Sequence, residues 1–201
     1  MKGHEYVRAQ VRAHLQATVP GRLAAIRSGI QGATTPPSPA SYGLADRLPT
    51  DPALYPAILV TSTSAPSMVK QSVYAAGDSA DFVVIYQMRV VVACRTDIAG
   101  GDEAASRDRD RLLLAVREAL LGRANLPSDM EISTADLAED TGAATQDLRG
   151  RPLSAGTLTF RAAVMETLAP APVPDSLEEL EIDVTGYPSA TVNITPPPPS
   201  P

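Results

Sequence analysis

With 201 residues, 44% of them hydrophobic, the chain can build one substantial core and is too short for two. A formal charge of -6 argues against nucleic acid as the main partner, because phosphate binding needs a dense cationic surface that releases counterions. The single cysteine, Cys94, excludes an internal disulfide and a cysteine-rich zinc site and fits a reducing compartment, while the absence of Trp leaves a core of Ala, Val and Leu.

The start, Met1 to Glu5, turns directly into a polar amphipathic pattern and lacks the apolar stretch of a secretory signal. From His4 to Ala17, Val7, Val11 and Leu15 recur at i, i+4 while Arg8, Arg12 and Gln16 fall off that stripe, which predicts an amphipathic helix. Pro20 and Gly21 interrupt it. Leu23, Ala24 and Ile26 predict a second short helical piece on the same seam, ended by Gly29 and Gly32. Residues 32–56 hold Pro36, Pro37, Pro39, Pro49 and Pro52 among Ser, Thr and Gly, a composition that sustains neither a helix nor a ladder. They read as a long excursion loop, a candidate arm toward a neighbour.

Ala57 to Thr61 is short and apolar between Pro56 and a Ser-Pro cluster, as in a central strand, and a weaker strand is expected over Val69 to Ala75. The strongest strand is Asp81 to Thr96. Phe82, Val84, Tyr86, Met88, Val90, Val92 and Cys94 alternate on one face, against Val83, Ile85, Gln87, Arg89, Val91, Ala93 and Arg95 on the other. The first face is core; the second is half polar, as where a strand runs past the domain edge toward a partner or a lumen. That run, Phe82 to Cys94, is also the longest apolar stretch, and Gln87 and Arg89 break it well short of the roughly 20 residues that cross a bilayer, so no membrane role is expected.

Gly100-Gly101-Asp102 supplies a turn and a cap for a helix to about Leu121, with Ala105, Leu112, Val116, Ala119 and Leu120 on one side. Arg107-Asp108-Arg109-Asp110-Arg111 wraps its front half in alternating charge, read as a solvated, salt-linked face. Glu131 to Ala138 is a further strand, residues 141–152 an exposed turn or insertion, and Thr157 to Thr167 the closing strand. The elements predict an α/β (α+β) domain over 1–168: a small mixed or mostly antiparallel sheet of about four to five strands with two main helices on one face. Residues 169–201 form a Pro-rich extended tail whose β-prone islands, 182–185 and 191–194, suit addition to an exposed sheet edge on another subunit.

No catalytic, cofactor or metal site is expected. His4 and His14 point to different sides of a helix without ligand-spaced acids or cysteines and read as surface histidines. Cys94 lies on the apolar face of its strand and reads as a small buried hydrophobe. The glycines at Gly100-Gly101, Gly150 and Gly156 match no phosphate-binding or dinucleotide fingerprint. The candidate functional residues are therefore interface residues: Gln87, Arg89 and Arg95 on the half-polar strand face and Arg107, Arg109 and Arg111 on the helix, since the planar guanidinium suits subunit contacts.

In order and character, the segments Tyr55 to Val60, Met88 to Val92, Asp108 to Leu121 and Gly156 to Arg161 resemble tail terminator and neck proteins of long-tailed bacteriophages, over roughly residues 1–168. The resemblance implies a structural virion protein, made in the host cytoplasm. Its small protomer forms a ring, commonly a hexamer, that caps the tail tube and meets the head connector. Its partners would be other copies of itself, the tail tube and the connector, with DNA passing through the lumen and no sequence-specific reading. A connector, adaptor or tail tube subunit is the neighbouring alternative, and a small ligand-binding accessory domain the alternative from another class.

Overall fold

The computed structural model describes residues 2–29, 38–45, 47–64, 66–70, 80–96, 101–122, 126–142, 145–146 and 150–168. The tail over 169–201, residues 32–37 and 46 of the excursion loop, the part of the expected Val69–Ala75 strand beyond residue 70, Gly100 of the expected turn and residues 143–144 and 147–149 of the expected insertion lie outside the described residues. In chain order the elements are α1 (His4–Gly29), β1 (Ser41–Gly43), a 3-10 turn (Pro52–Leu54), β2 (Ala57–Ser62), β3 (Ser67–Lys70), β4 (Ala80–Arg95), α2 (Gly101–Gly122), β5 (Met130–Thr141), β6 (Thr145–Gln146) and β7 (Pro152–Leu168).

One sheet contains all the strands, along the path β1-β2-β4-β7-β5. β4 and β7 form its axis, antiparallel from Ala80↔Leu168 to Arg95↔Leu153. Outside β4, β2 and β3 run end to end; outside β7, β5 and β6 do the same. β1 joins β2 in parallel, so the sheet is mixed, one of the two arrangements that the element order led us to expect, with seven strands instead of four to five. β4 is thus internal. Its half-polar side does not run past an edge; it lies on a sheet face, because strands pair along both sides of β4.

Both helices cover the other face. Val84, Tyr86, Met88, Val90, Val92 and Cys94 of β4 and Leu158, Phe160, Ala162 and Val164 of β7 are buried beneath Val7, Val11, Leu15 and Val19 of α1 and Leu112, Leu113, Val116 and Leu120 of α2. Each large aliphatic or aromatic side chain removed from water there contributes about 1.5–3 kcal/mol, so this layer supplies most of the driving force.

Several elements depart from the sequence reading. α1 does not break at Pro20: it is one helix with the proline inside. Pro20 is exposed, whereas Val19, Leu23 and Ile26 are buried, so the apolar seam holds the helix together through the lost backbone bond. The excursion loop is not wholly irregular, since Ser41–Gly43 pairs with β2 and Asp51 caps the 3-10 turn. β3 sits at Ser67–Lys70, earlier than expected. β5 carries a bulge, its register jumping from Ser133↔Arg161 to Ala138↔Thr159, which is what hid its alternation.

β7 begins at Pro152 rather than Thr157 because its inward positions there are Ser154 and Gly156, which give no apolar signal. They are small because α2 comes close. A Cβ on Gly156 would meet Leu113 Cδ1 at 2.6 Å and Arg109 Cδ at 3.3 Å. Gly156→Ala is therefore expected to destabilise the protein by about 1–3 kcal/mol through overpacking. At Gly21, in the exposed middle of α1 with nothing within 4 Å of a built Cβ, the same change should stabilise it by about 0.5–1 kcal/mol. Urea unfolding of the two variants should show shifts of opposite sign.

His14 is not a surface residue. It is 1% exposed, and its Nε2–H donates to the Ala119 carbonyl at 2.8 Å. α2 has no basic residue in its last turn; the Ala119 carbonyl there is met from α1 by His14, and the Arg22 guanidinium of α1 lies beside Gly122.

Candidate functional site

Period-two alternation along β4 and β7 puts Val83, Ile85, Gln87, Arg89, Val91, Thr157, Thr159, Arg161, Ala163 and Met165 on the sheet face opposite the helices. None of these is buried, and Met165 is 55% exposed. At one end of this face, Tyr55 closes it over: the Arg95 guanidinium lies 5.9 Å from the Tyr55 ring centroid, and the Tyr55 hydroxyl donates to the Pro49 carbonyl at 2.7 Å. Beneath that cover Ala57, Leu59 and Ala93 are buried. Burial raises the Tyr55 pKa, and the Arg95 charge opposes the rise.

The rest of the face has two zones. Val83, Ile85, Ala163 and Met165 form an apolar zone beside the end of β7, with open depressions that also take in Met130 and Glu131 on one side and Ser133, Asp136 and Arg161 on the other. Next comes a polar zone across the middle. Gln87 stands opposite Arg161, and Arg89 opposite Thr159. The β5 bulge turns Asp136 toward Arg161: the Arg161 Nε donates to Asp136 Oδ2 at 2.8 Å, its Nη2 pairs with Oδ1, and the Ser133 hydroxyl donates to Oδ2 at 2.8 Å. These donors hold the Asp136 carboxyl below its usual pKa, and the hydrogen bond and charge of Asp136 in turn raise that of Arg161. Arg89 has no such partner among the described residues, and its side chain is exposed.

The six interface candidates do not converge. Gln87 and Arg89 are neighbours on the uncovered face, and Arg95 is on the same face but engaged by Tyr55. Arg107 and Arg111 lie on α2, across the sheet, flanking a half-buried Asp108 whose pKa is raised by burial and lowered by the two guanidinia. Arg109 is turned inside its own protomer. It is 7% exposed; its Nη1 donates to the Gly142 carbonyl at 2.6 Å and to Ser154 Oγ at 2.8 Å, and its Nε to Asp110 at 2.8 Å. The solvated, salt-linked reading of this charge run holds at Arg107 and Asp110, which are exposed, and fails at Arg109 because residue 109 continues the stripe of Ala105, Leu112 and Val116 at i+3 and i+4 spacing, a signal the sequence did contain.

One more polar cluster lies inside the core. Glu166 on β7 is 3% exposed and accepts from the Tyr86 hydroxyl at 3.3 Å, while His4 meets the Tyr86 ring edge-on at 5.1 Å. Burial first, then the Glu166 charge and hydrogen bond, push the Tyr86 phenol up to about 12. The row closes the start of α1 onto the sheet, with Tyr86 and Glu166 buried and His4 half-buried. Residue 166 lies within the closing strand expected over Thr157 to Thr167, but nothing in the pattern pointed to a buried carboxylate. Among the described residues no group of three or more metal-ligating side chains comes together, and no helix is long and apolar enough to cross a membrane. No protein-family model matches the chain, and no curated protein matches it in sequence.

Proposed function

We propose that this chain is a structural joining protein of the kind found at the head-tail junction of long-tailed bacteriophages, a protomer that assembles into a ring capping the tail tube and meeting the head connector. The observation that carries this reading is the uncovered sheet face: half-buried Val83 and Ile85 and exposed Met165 beside Arg89 and the Arg161–Asp136 pair. Met and Arg beside a dehydratable apolar zone are the composition of a protein contact surface, and a folded monomer gains nothing by displaying it. Arg89 and Gln87 supply the specific polar contacts, and the β5 bulge protects that edge of the sheet from unspecific strand pairing.

The measurement is light scattering coupled to size exclusion, followed by electron microscopy of the purified protein. A closed ring of uniform size is expected, weakened by Arg89→Glu. Open-ended polymerisation would instead make it a tail tube subunit. A strict monomer at high concentration that also fails to bind tail tubes would overturn the reading.

A further inference from the structure

The protomer carries unmatched surface on two opposite sides. α2 turns Leu112, Leu113, Val116 and Leu120 to the core, so helical pitch sets Arg107, Leu114, Glu118 and Leu121 along its outer side. Leu121 is 46% exposed there and Met165 is 55% exposed on the uncovered sheet face, two of the three large apolar side chains so displayed among the described residues. We propose that the outer stripe of α2 from one copy lies on the uncovered sheet face of the next, with Leu121 in the zone of Val83, Ile85 and Met165, Glu118 at Arg89, and Arg107 at Asp140. The proposal rests on the ring assembly proposed above and supplies the neighbour's half of its contact.

Charge and order carry it. Arg89 is exposed and Glu118 half-buried, and neither has a partner among the described residues. Asp140 is exposed too, and it shares the face of Arg89, because Ala138 stands opposite Thr159 and Asp140 opposite Thr157. Along α2 from Leu121 the stripe is apolar, then acidic at Glu118, then basic at Arg107. From the end of β7 the face is apolar, then basic at Arg89, then acidic at Asp140. When the apolar ends coincide, each charge therefore meets its opposite. The spacings agree as well. From Leu121 to Arg107 the helix rises about 21 Å. From Ile85 to Val91, which is level with Thr157 and Asp140, the strand rises about 20 Å, and the step across to β5 turns the path into a diagonal of about 22 Å.

Geometry then selects the occupant. The stripe and the face lie on opposite sides of the sheet, so no chain can close this contact on itself. Each copy offers one of each, which makes the contact head-to-tail, and head-to-tail contacts that close give rings. A neighbour's helix also gives the apolar zone the second layer that a sheet face needs. Arg107 and Arg89, which lie far apart within one protomer, come together along a single seam between two.

The test uses the full-length chain carrying Leu121→Cys and Met165→Cys, both at exposed positions, linked with a short bismaleimide and run on denaturing gels. Cys94 is buried and sets the background. Linked species should pass beyond the dimer in a ladder that ends at the ring. Light scattering on charge variants gives a second readout. Arg89→Glu and Glu118→Arg should each weaken assembly about tenfold or more, and an equimolar mixture of the two variants should regain it, since each face then finds the opposite charge on the other's helix. Uniform rings without a link between 121 and 165, links that stop at the dimer, or a mixture that stays apart would overturn this contact while leaving the ring itself in place. A strict monomer at high concentration would overturn both.

Discussion

Arg109→Met should destabilise the protein by about 3 kcal/mol, whereas Arg107→Met, two residues away, should stay within about 0.5 kcal/mol of the parent. The two arginines belong to one charge run but to different environments. Arg107 is exposed, while Arg109 stands at the N-terminal half of α2 with its guanidinium against Ser154 of β7 and the Gly142 carbonyl beyond β5. Removing it leaves the Ser154 hydroxyl, which is fully buried, with only a 3.4 Å contact to Ser106, and it frees α2 from the strand it packs on. Charged hydrogen bonds contribute about 1.5–3 kcal/mol each, and Met keeps most of the stem volume, so the loss is electrostatic rather than a cavity. In a chain of this size the expected fall in Tm is on the order of 6–12 °C. Arg109→Lys should recover only part of it, because a single ammonium cannot reach Gly142, Ser154 and Asp110 together. Thermal unfolding of the three variants decides the point; equal effects at 107 and 109 would mean that the buried fork does not hold α2 to the sheet.

Cys94 should be nearly inert in the folded protein. Burial, with the charges of Asp108 and Asp110 adding and Arg109 opposing, pushes the thiol from its ordinary value up to about 12. The thiolate is the reactive form, so at pH 8 its fraction in the folded state is lower than in the unfolded chain by roughly a thousandfold. Iodoacetamide labelling should be slower by a comparable factor in buffer than in concentrated urea. The same shift has a consequence for stability. A pKa raised on folding means that the unfolded state gives up its proton first, so the contribution is complete below about pH 9 and is lost as pH rises toward 12. The Tyr86 phenol, also pushed up to about 12, acts in the same direction. Urea midpoints measured from pH 7 upward should therefore stay level and then decline through the alkaline range. Rapid labelling of the native protein at pH 8 would contradict the burial of this strand face.

What the sequence by itself determined was whatever depends on periodicity. The alternation along 82–94 named the buried face of β4, and the i, i+4 spacing named the inward stripe of α1, because an element that buries one side must repeat its apolar residues at its own pitch. Cys94 was placed in the core on the same ground. Tertiary structure decided what pattern cannot encode. Pro20 remained within α1 because Val19, Leu23 and Ile26 are held against the sheet, a force from outside the helix. Arg109 and His14 went inside because strand ends and a helix terminus nearby offered carbonyls and hydroxyls that repay the desolvation of a polar group. Strand order was also beyond local reading: that β4 is internal, and so lends the molecule a face rather than an edge, follows from its pairing with β2 and β3 on one side and, on the other, with β7 more than fifty residues later in the chain. The candidate surface was legible as a half-polar strand face at Gln87 and Arg89. Its other half, Arg161 with Asp136, was assembled by a bulge that no periodicity announces.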